Sequence, residues 1–299
     1  MKKLKALLNN EKGNVLVIFA FAITALIGAT ALVVDIGFAY HEKSTLQNAV
    51  DAAALGGAQG LITSETQAAS IAKEIGTKNS ISLDDSDITF TSDSIRVTKE
   101  ITVPMFFAKA LGNNTATISA TAKAKISLLK SAKGVTPIAV EKDSIPTGTQ
   151  LKCSNTGTNH GNCGYLDISG NGADGLVNGI LNGSDIQEGT QYAETEPGQK
   201  WGPVKDAFET LITNDAGKDQ CDRPDTADNS CDRVIYVVVI DTWDDVEGKE
   251  SVTVEGLAAY WISHIDSNKE IVGQFLEMVT FGEIGGSGEG NLYGVALVE

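Results

Sequence analysis

The chain has 299 residues, 42% of them hydrophobic and 21% charged, which is enough to build one or two domains with buried cores. Its formal net charge is −16 at pH 7, whereas proteins that bind nucleic acid present clustered Lys and Arg. The composition therefore argues against nucleic acid or an anionic membrane surface as the main partner of this chain.

A basic tip and a long apolar run open the chain. Residues 1–12 contain four lysines and one glutamate, and residues 15–34 contain no charged side chain. Twenty helical residues rise about 30 Å, which matches the hydrocarbon layer of a bilayer. The sequence therefore predicts a cytoplasmic tip over residues 1–12 and a transmembrane helix over 13–40 that contacts the lipid bilayer through residues 15–34. Because lysines favour the cytoplasmic side, a single pass through the cell membrane with an extracytoplasmic C-terminal portion is expected.

Two alternatives compete with a retained membrane anchor. A buried core helix is usually shorter than this run. A cleaved signal peptide has an apolar region of about 7–15 residues, and Ala29-Thr30-Ala31 offers a small-residue cleavage site. The run is longer and stays apolar beyond that site, which favours the anchor. Asp35 is then expected at the outer interface, with its carboxylate reaching headgroups and water.

The residues after the apolar run continue with helical periodicity up to residue 60. One face is formed by Leu46, Ala49, Val50, Ala53 and Ala54, and the other by Gln47, Asn48 and Asp51. Gly56-Gly57 is predicted to interrupt this helix. Ser64 and Gln67 have the spacing of a capping box, which predicts a second helix that ends at Gly76.

Alternating residues predict a small antiparallel sheet after the two helices. Residues 88–103 alternate around a turn near Asp93-Ser94, which is typical of a hairpin. Pro104 is predicted to start a short helix over residues 105–111. The strict two-residue periodicity of residues 116–128 then predicts a strand with one dry and one wet face.

This N-terminal portion resembles the TadE/TadG-like proteins of Tad-type (tight adherence) Flp pilus assembly. The resemblance lies in GNVLVIFAFAITALIGATALVVDIGFAY and LQNAVDAAALGGA, and residues 101–126 resemble the strand, short helix and strand that close the same module. The matching positions, which are candidate interaction residues, are Gly13, Val34, Asp35, Gly37, Leu46, Gln47, Asn48, Asp51 and Leu55. Residues 195–204 also look like a piece of longer members.

Two departures limit what the resemblance implies. Pilins that a prepilin peptidase cleaves carry a Glu five residues after the processing glycine, and the position five after Gly13 is Ile18. Cleavage at Gly13 is therefore not supported. Some TadG-like proteins end in a von Willebrand A domain with a D-x-S-x-S metal motif. The nearest stretch here starts at Asp241 and has Trp243 and Asp245 at the serine positions, so that domain is not expected.

A second domain is predicted from the shift to Gly, Asn, Asp and Thr after residue 133. The boundary is placed near residue 131. A helix over 203–213, a central strand over 234–240, its hairpin partner over 252–262 and a last strand in the tail are expected. The expected fold class is α+β. A transmembrane helix continues into a pilin-like helix-plus-sheet module over 41–130, followed by a mixed α/β or mostly β domain over 131–299.

The four cysteines lie in the predicted outer portion, at Cys153, Cys163, Cys221 and Cys231. Four cysteines permit three connectivities, and the local pairing 153–163 and 221–231 is predicted because each bond would close a polar loop. A zinc site with His160 is the rival. Its C-x9-C spacing differs from the usual C-x2–4-C, so disulfides are favoured and no metal or cofactor is expected.

Two acidic clusters are the remaining candidate sites. The first, around the second cysteine pair, lacks the order of an EF-hand loop, which favours a solvated loop over a calcium site. It consists of Asp219, Asp222, Asp225, Asp228 and Asp232. The second, at residues 241–245, follows a strand, but the chain has neither G-x-S-x-G nor a phosphate-binding glycine loop. The chain is therefore predicted not to be an enzyme.

The favoured function is an anchored structural or assembly component of a Tad pilus system. It would act outside the cytoplasmic membrane through protein–protein contacts with other Tad/Flp pilus membrane components. The alternative is a cell-surface binding or adhesin module in which residues 135–299 are the active part. An extracellular hydrolase that uses the acidic loop ranks last.

Overall fold

The computed structural model describes residues 11–145, 150–151, 164–167, 172–193, 201–243, 251–267 and 270–298. The helices are α1 Glu11–Gln59, α2 Glu65–Lys78, α3 Gly172–Asn182 and α4 Trp201–Asn214. The strands are β1 Ile88–Thr91, β2 Ser94–Pro104, β3 Thr115–Glu141, β4 Gln150–Leu151, β5 Ser184–Gln187, β6 Gln191–Ala193, β7 Val234–Ile240, β8 Ser251–Thr253, β9 Gly256–Ile265, β10 Ile271–Leu276, β11 Met278–Val279, β12 Gly282–Ile284 and β13 Leu292–Leu297. The predicted α+β class is confirmed.

Helix α1 is one uninterrupted helix of 49 residues, about 74 Å long. Between Val15 and Val34 its large apolar side chains are exposed. Asp35 is buried, residues 36–45 contain no buried residue, and from Leu46 onward one face packs against α2 and the sheet, with Leu46, Val50 and Ala54 buried in that core. The same helix therefore has an uncovered apolar half and a packed half.

The prediction that Gly56-Gly57 interrupts the helix is wrong. A Cβ at Gly57 would lie 2.7 Å from Ile95 Cδ1 and 3.0 Å from Ala72 Cβ, so this glycine lets α1 approach α2 and the sheet closely. A mid-helix glycine costs about 1 kcal/mol relative to alanine, which close packing offsets. Gly76 likewise stays inside α2, where a Cβ would lie 3.0 Å from Leu83 Cδ1.

The predicted cap and hairpin of this module are confirmed. Ser64 Oγ accepts a hydrogen bond from the Gln67 backbone N–H at 3.1 Å, which fixes the start of α2. Strands β1 and β2 pair antiparallel around the predicted turn, with Thr91 opposite Ser94. The helix predicted over 105–111 is reduced to a 3₁₀ turn over Ala108–Leu111.

Strand β3 joins the two portions of the chain. Its first part pairs antiparallel with β2 and shows the predicted alternation, with Ala120, Ala122, Ala124 and Ile126 buried. Its last part pairs parallel with β7, and the strand runs through residue 131 without ending. The division into domains at that residue stays a prediction.

The C-terminal portion is a sheet in the order β3-β7-β9-β10-β4 with a core on each face. Helices α3 and α4 cover one face, where Phe208 and Tyr260 are buried in the same core. The predicted strand 234–240 and its antiparallel partner are confirmed, although the partner begins at Gly256. The mixed character arises because β3 and β7 are parallel, whereas β7, β9, β10 and β4 pair antiparallel in that order.

The last strand, β13, returns to the N-terminal sheet. It pairs antiparallel with residues 124–128 of β3 and parallel with β11. The sequence predicted this strand but not its partner. The last strand therefore lies in the same sheet as β1, β2 and the first part of β3, next to the packed half of α1.

Candidate functional site

The candidate site lies at the C-terminal end of the apolar run of α1. Asp35 is the first charged residue after that run. Its side chain is buried, with the residue only 3% exposed. Oδ1 accepts hydrogen bonds from the backbone N–H of Phe106 at 2.8 Å and of Phe107 at 3.2 Å. Oδ2 accepts from Phe107 at 3.1 Å and from Ala108 at 2.6 Å. The expectation that this carboxylate faces headgroups and water is wrong.

The loop that binds Asp35 consists of residues 105–108, and we call it the clasp loop. It follows β2, which ends at Pro104, and leads into the 3₁₀ turn. Backbone N–H groups at the start of a helical turn have no partner within the turn. A carboxylate satisfies such groups with charge-assisted hydrogen bonds, which are stronger than neutral ones. Asp35 therefore fixes the position of the clasp loop against α1.

Aromatic side chains surround this contact. The rings of Phe38 and Phe106 meet edge to face, with centroids 5.1 Å apart. Phe106 is 57% and Phe107 is 47% exposed, and Tyr40, five residues after Asp35 along α1, is also exposed. The exit of the apolar run thus carries three exposed aromatic side chains, Tyr40, Phe106 and Phe107, and the half-buried Phe38 packs against one of them.

Several other motif residues attach α1 to the sheet. Leu46 is buried in the core, and Leu55 is packed against it. Gln47 Nε2 donates to the Thr121 carbonyl oxygen at 2.9 Å and to Asp51 Oδ1 at 2.8 Å. Gln47 therefore contacts β3, whereas the helical spacing predicted that it would face away from the core.

The remaining motif residues make fewer contacts. Asn48 is exposed, as predicted. Gly37 is exposed, and a Cβ built there would have no neighbour within 4 Å. Gly13 lies within α1, near its start. The role of these three residues as interaction residues stays a prediction.

A second organised loop, formed by residues 215–233, lies in the C-terminal portion. Cys221 and Cys231 form a disulfide bond. The buried Asp215 accepts hydrogen bonds from the backbone N–H of Arg233 at 2.8 Å, from Lys218 Nζ at 2.8 Å and from the backbone N–H of Asp232 at 3.1 Å. Burial by itself would raise the pKa of Asp215, but these hydrogen bonds outweigh it and lower that pKa below its ordinary value.

An aromatic ring fixes the other side of this loop. Trp261 Nε1 donates to the Cys221 carbonyl oxygen at 2.8 Å. The Arg233 guanidinium lies 5.6 Å from the centroid of the same ring. The loop is therefore joined to β9 by a side chain of the sheet as well as to the end of α4 by Asp215.

Three residues of this loop bring together atoms of the kinds that bind metal ions. The Asp215 carboxylate and the sulfurs of Cys221 and Cys231 lie within 4.8 Å of one another. Both sulfurs are in a disulfide, whereas metal ligation requires thiolates. Cys153, Cys163 and His160 lie outside the described residues, so the pairing predicted there stays a prediction.

The two acidic clusters form local contacts. The five aspartates around the second cysteine pair are exposed. Among them, Asp225 accepts a hydrogen bond from the Arg223 guanidinium. Asp228 accepts one from the backbone N–H of Ser230. Asp241 forms an ion pair with Lys142, and Asp244 and Asp245 lie outside the described residues. That the chain is not an enzyme stays a prediction.

The fold defines an α+β protein whose single long N-terminal helix is apolar and uncovered along its first half. Residues 13–60 match a family model described as putative Flp pilus-assembly TadE/G-like, which confirms the resemblance for this segment. The match ends one residue after α1 and contains Asp35 together with the residues that attach the helix to the sheet. No curated protein and no solved structure matches the chain. The N-terminal segment therefore relates the chain to Flp pilus assembly.

Proposed function

We propose that the chain is a membrane-anchored structural or assembly component of a Tad pilus system. It acts outside the cytoplasmic membrane, through contacts with other proteins of that system. The observation that carries the proposal is the division of α1 into an uncovered apolar half and a packed half, within the segment that matches the family model.

The uncovered half needs an apolar environment. Leu16, Phe21 and Leu26 are each about 70% exposed, and the other large apolar side chains of the run are between 39% and 71% exposed. Burying one such side chain is favourable by roughly 1.5–3 kcal/mol. Helix α1 is long and apolar enough to cross a membrane. A bilayer, or the apolar helices of other pilus subunits within it, supplies the missing cover.

Two features support an extracytoplasmic location for the C-terminal portion. The lysine-rich tip precedes the apolar run, and positive charge favours the cytoplasmic side. The disulfide between Cys221 and Cys231 is typical of an oxidising compartment. Both features favour a single pass with the N-terminus inside.

Crosslinking in cells tests the proposed partners. A photo-crosslinking residue replaces Leu26, which is exposed in the apolar half, or Gln59, which is exposed at the far end of α1 and serves as the control. We expect position 26 to attach Tad pilus membrane proteins and position 59 to attach none. A strain that lacks the chain should lose its pili. Unrelated partners at position 26, together with normal piliation in that strain, would contradict the proposal.

Protease treatment of spheroplasts tests the orientation. The C-terminal portion should be degraded from outside while the N-terminal tip is protected, because the two lie on opposite sides of the membrane. If the C-terminal portion is protected from the protease, the chain has the opposite orientation in the membrane. A mature chain that begins after Ala31 would show a cleaved signal in place of an anchor.

The adhesin alternative has one observation in its favour. A cavity of about 540 Å³ lies beside β5 and β12, lined by residues that include Lys133, Asp185 and Glu283. Phe281 also lines it and is 92% exposed. If the C-terminal portion is the active part, Phe281→Ser in the full chain should weaken attachment of cells to a surface without reducing piliation. Unchanged attachment would leave only the assembly role.

A further inference from the structure

We propose that the clasp loop is a membrane-contacting site, a seat for the module on the bilayer surface. In this arrangement Phe106 and Phe107 insert into the outer lipid interface beside α1, and Asp35 holds them there. The inference rests on the proposed function, because it requires α1 to cross a bilayer.

The position of the clasp loop along α1 is fixed by hydrogen bonds. The backbone nitrogens of Phe106, Phe107 and Ala108 lie 2.6–3.2 Å from the Asp35 carboxylate. Asp35 directly follows the twenty uncharged residues 15–34, whose helical length is about that of the hydrocarbon layer. The loop therefore lies at the level where the hydrocarbon layer ends.

The chemistry of the loop suits the lipid interface. Phe106 and Phe107 expose about half of their surface, and Tyr40 exposes its ring at the neighbouring turn of α1. Tyr and Trp are enriched at the boundary between hydrocarbon and headgroups, and Phe is among the residues that membrane-surface segments bury in it. Lys109 follows on the exposed side of the loop, where its long side chain can extend its ammonium group to headgroup phosphates.

Asp35 removes the main obstacle to placing a non-helical loop at this depth. Backbone N–H groups that lack a partner are costly at the edge of hydrocarbon, where water is scarce. The single carboxylate satisfies three of them in succession. The same bonds satisfy the carboxylate, which would otherwise be a costly charge at the end of a membrane helix.

Lipid is favoured over a protein as the occupant because of continuity with the apolar run. The side chains of Val33, Val34 and Ile36, just before and after Asp35, are exposed. Lipid that surrounds the helix at this level therefore also reaches the rings beside it. A second copy of the chain is the competing occupant, and the experiment distinguishes the two.

Fluorescence quenching by brominated lipids tests the inference on the full chain in phosphatidylcholine vesicles. Phe107→Trp is the test variant, Ile23→Trp the reference inside the apolar run, and Phe281→Trp the reference in the C-terminal portion. The wild type gives the background from its three native tryptophans. We expect acyl chains brominated near the headgroup to quench position 107 more than the background, deep bromines to quench position 23, and neither to quench position 281.

The outcomes separate the two proposals. If position 23 is quenched and position 107 behaves like position 281, the seat is wrong while the anchor stands. If position 23 is not quenched, the anchor itself fails. If quenching at position 107 disappears as the protein-to-lipid ratio rises, a second copy covers the loop and the inference is overturned.

The positioning role of Asp35 is tested in the Phe107→Trp background. Asp35→Asn, which removes the charge and one acceptor, should abolish most of the extra quenching at position 107. Asp51→Asn, on the packed half of the same helix, should leave it unchanged. Circular dichroism establishes that both variants are folded. Unchanged quenching in folded Asp35→Asn would show that Asp35 does not position the loop.

Discussion

The two halves of α1 are continuous in backbone and opposite in environment. Residues 15–34 carry large side chains such as Leu, Ile, Val and Phe, and these side chains are exposed. Residues 35–59 present small residues at the contact, and Ala53, Ala54 and Ala58 are fully buried. Small residues let a helix approach another element closely, whereas large ones present apolar area to a fluid environment. The comparison teaches that the uncovered half is apolar on every side, whereas the packed half presents a narrow apolar face rich in alanine and carries polar residues such as Gln47 and Asn48 beside it.

The largest expected effect comes from matched leucines in the two halves. Leu46→Ala removes a side chain that is 1% exposed and leaves a cavity, so the free energy of unfolding should fall by about 2–5 kcal/mol. Leu26→Ala removes one that is 68% exposed and should leave the unfolding of the outer module unchanged. Urea unfolding in detergent micelles measures both. Equal losses would show that both halves are packed against protein.

Matched glycines give the next largest effect. Gly57→Val forces a branched side chain against Ile95 and Ala72, and overpacking of this kind costs about 1–3 kcal/mol of the free energy of unfolding. Gly28→Val adds the same side chain where a Cβ has no neighbour within 4 Å. Both changes occur in one helix, so helix propensity cancels. Thermal melting should separate them, and a stable Gly57→Val would contradict the close approach.

Neighbouring polar residues of the packed half should differ by less. Gln47→Ala leaves the Thr121 carbonyl without its side-chain donor, which should cost about 0.5–1.5 kcal/mol of the free energy of unfolding. Asn48→Ala changes an exposed residue and should cost less than about 0.5 kcal/mol. The same urea titrations compare them. A larger effect at Asn48 would indicate that this residue contacts a partner.

The smallest effect concerns pH and extends the comparison to the second buried carboxylate, Asp215. Its pKa in the folded chain lies below the ordinary value near 3.8. Its contribution to stability is therefore fully present above about pH 4 and is lost as the pH falls through the folded value. The melting temperature of the wild type should fall more steeply below pH 4 than that of Asp215→Asn. Parallel curves would show that Asp215 is not held by its hydrogen bonds.

Sequence reasoning predicted the elements of the fold well where the signal is local. Four of these elements depend on residues that are close together in the chain. They are the helical repeat around Leu46, the cap at Ser64, the hairpin turn near Asp93-Ser94 and the buried strand 234–240. The family segment was also recognisable, because its motif is continuous along one helix.

The candidate site could be predicted only in part. The position of Asp35 at the end of the apolar run was clear from the sequence, but its partners lie more than 70 residues later and are backbone groups that any residue would supply. The aromatic pair Phe106-Phe107 was visible, yet no local pattern indicated that it returns to the exit of the apolar run.

By itself, the sequence determined which stretch is apolar, how long it is, and which residues repeat with helical or strand periodicity. Tertiary structure alone decided that Gly57 is a contact and not a break, that β13 joins β3, and that the Asp35 carboxylate faces a loop and not water. The physical reason is that periodicity and hydrophobicity act between neighbours in the chain. Close approach, strand partners and buried hydrogen bonds depend on distant segments that meet only when the chain has folded.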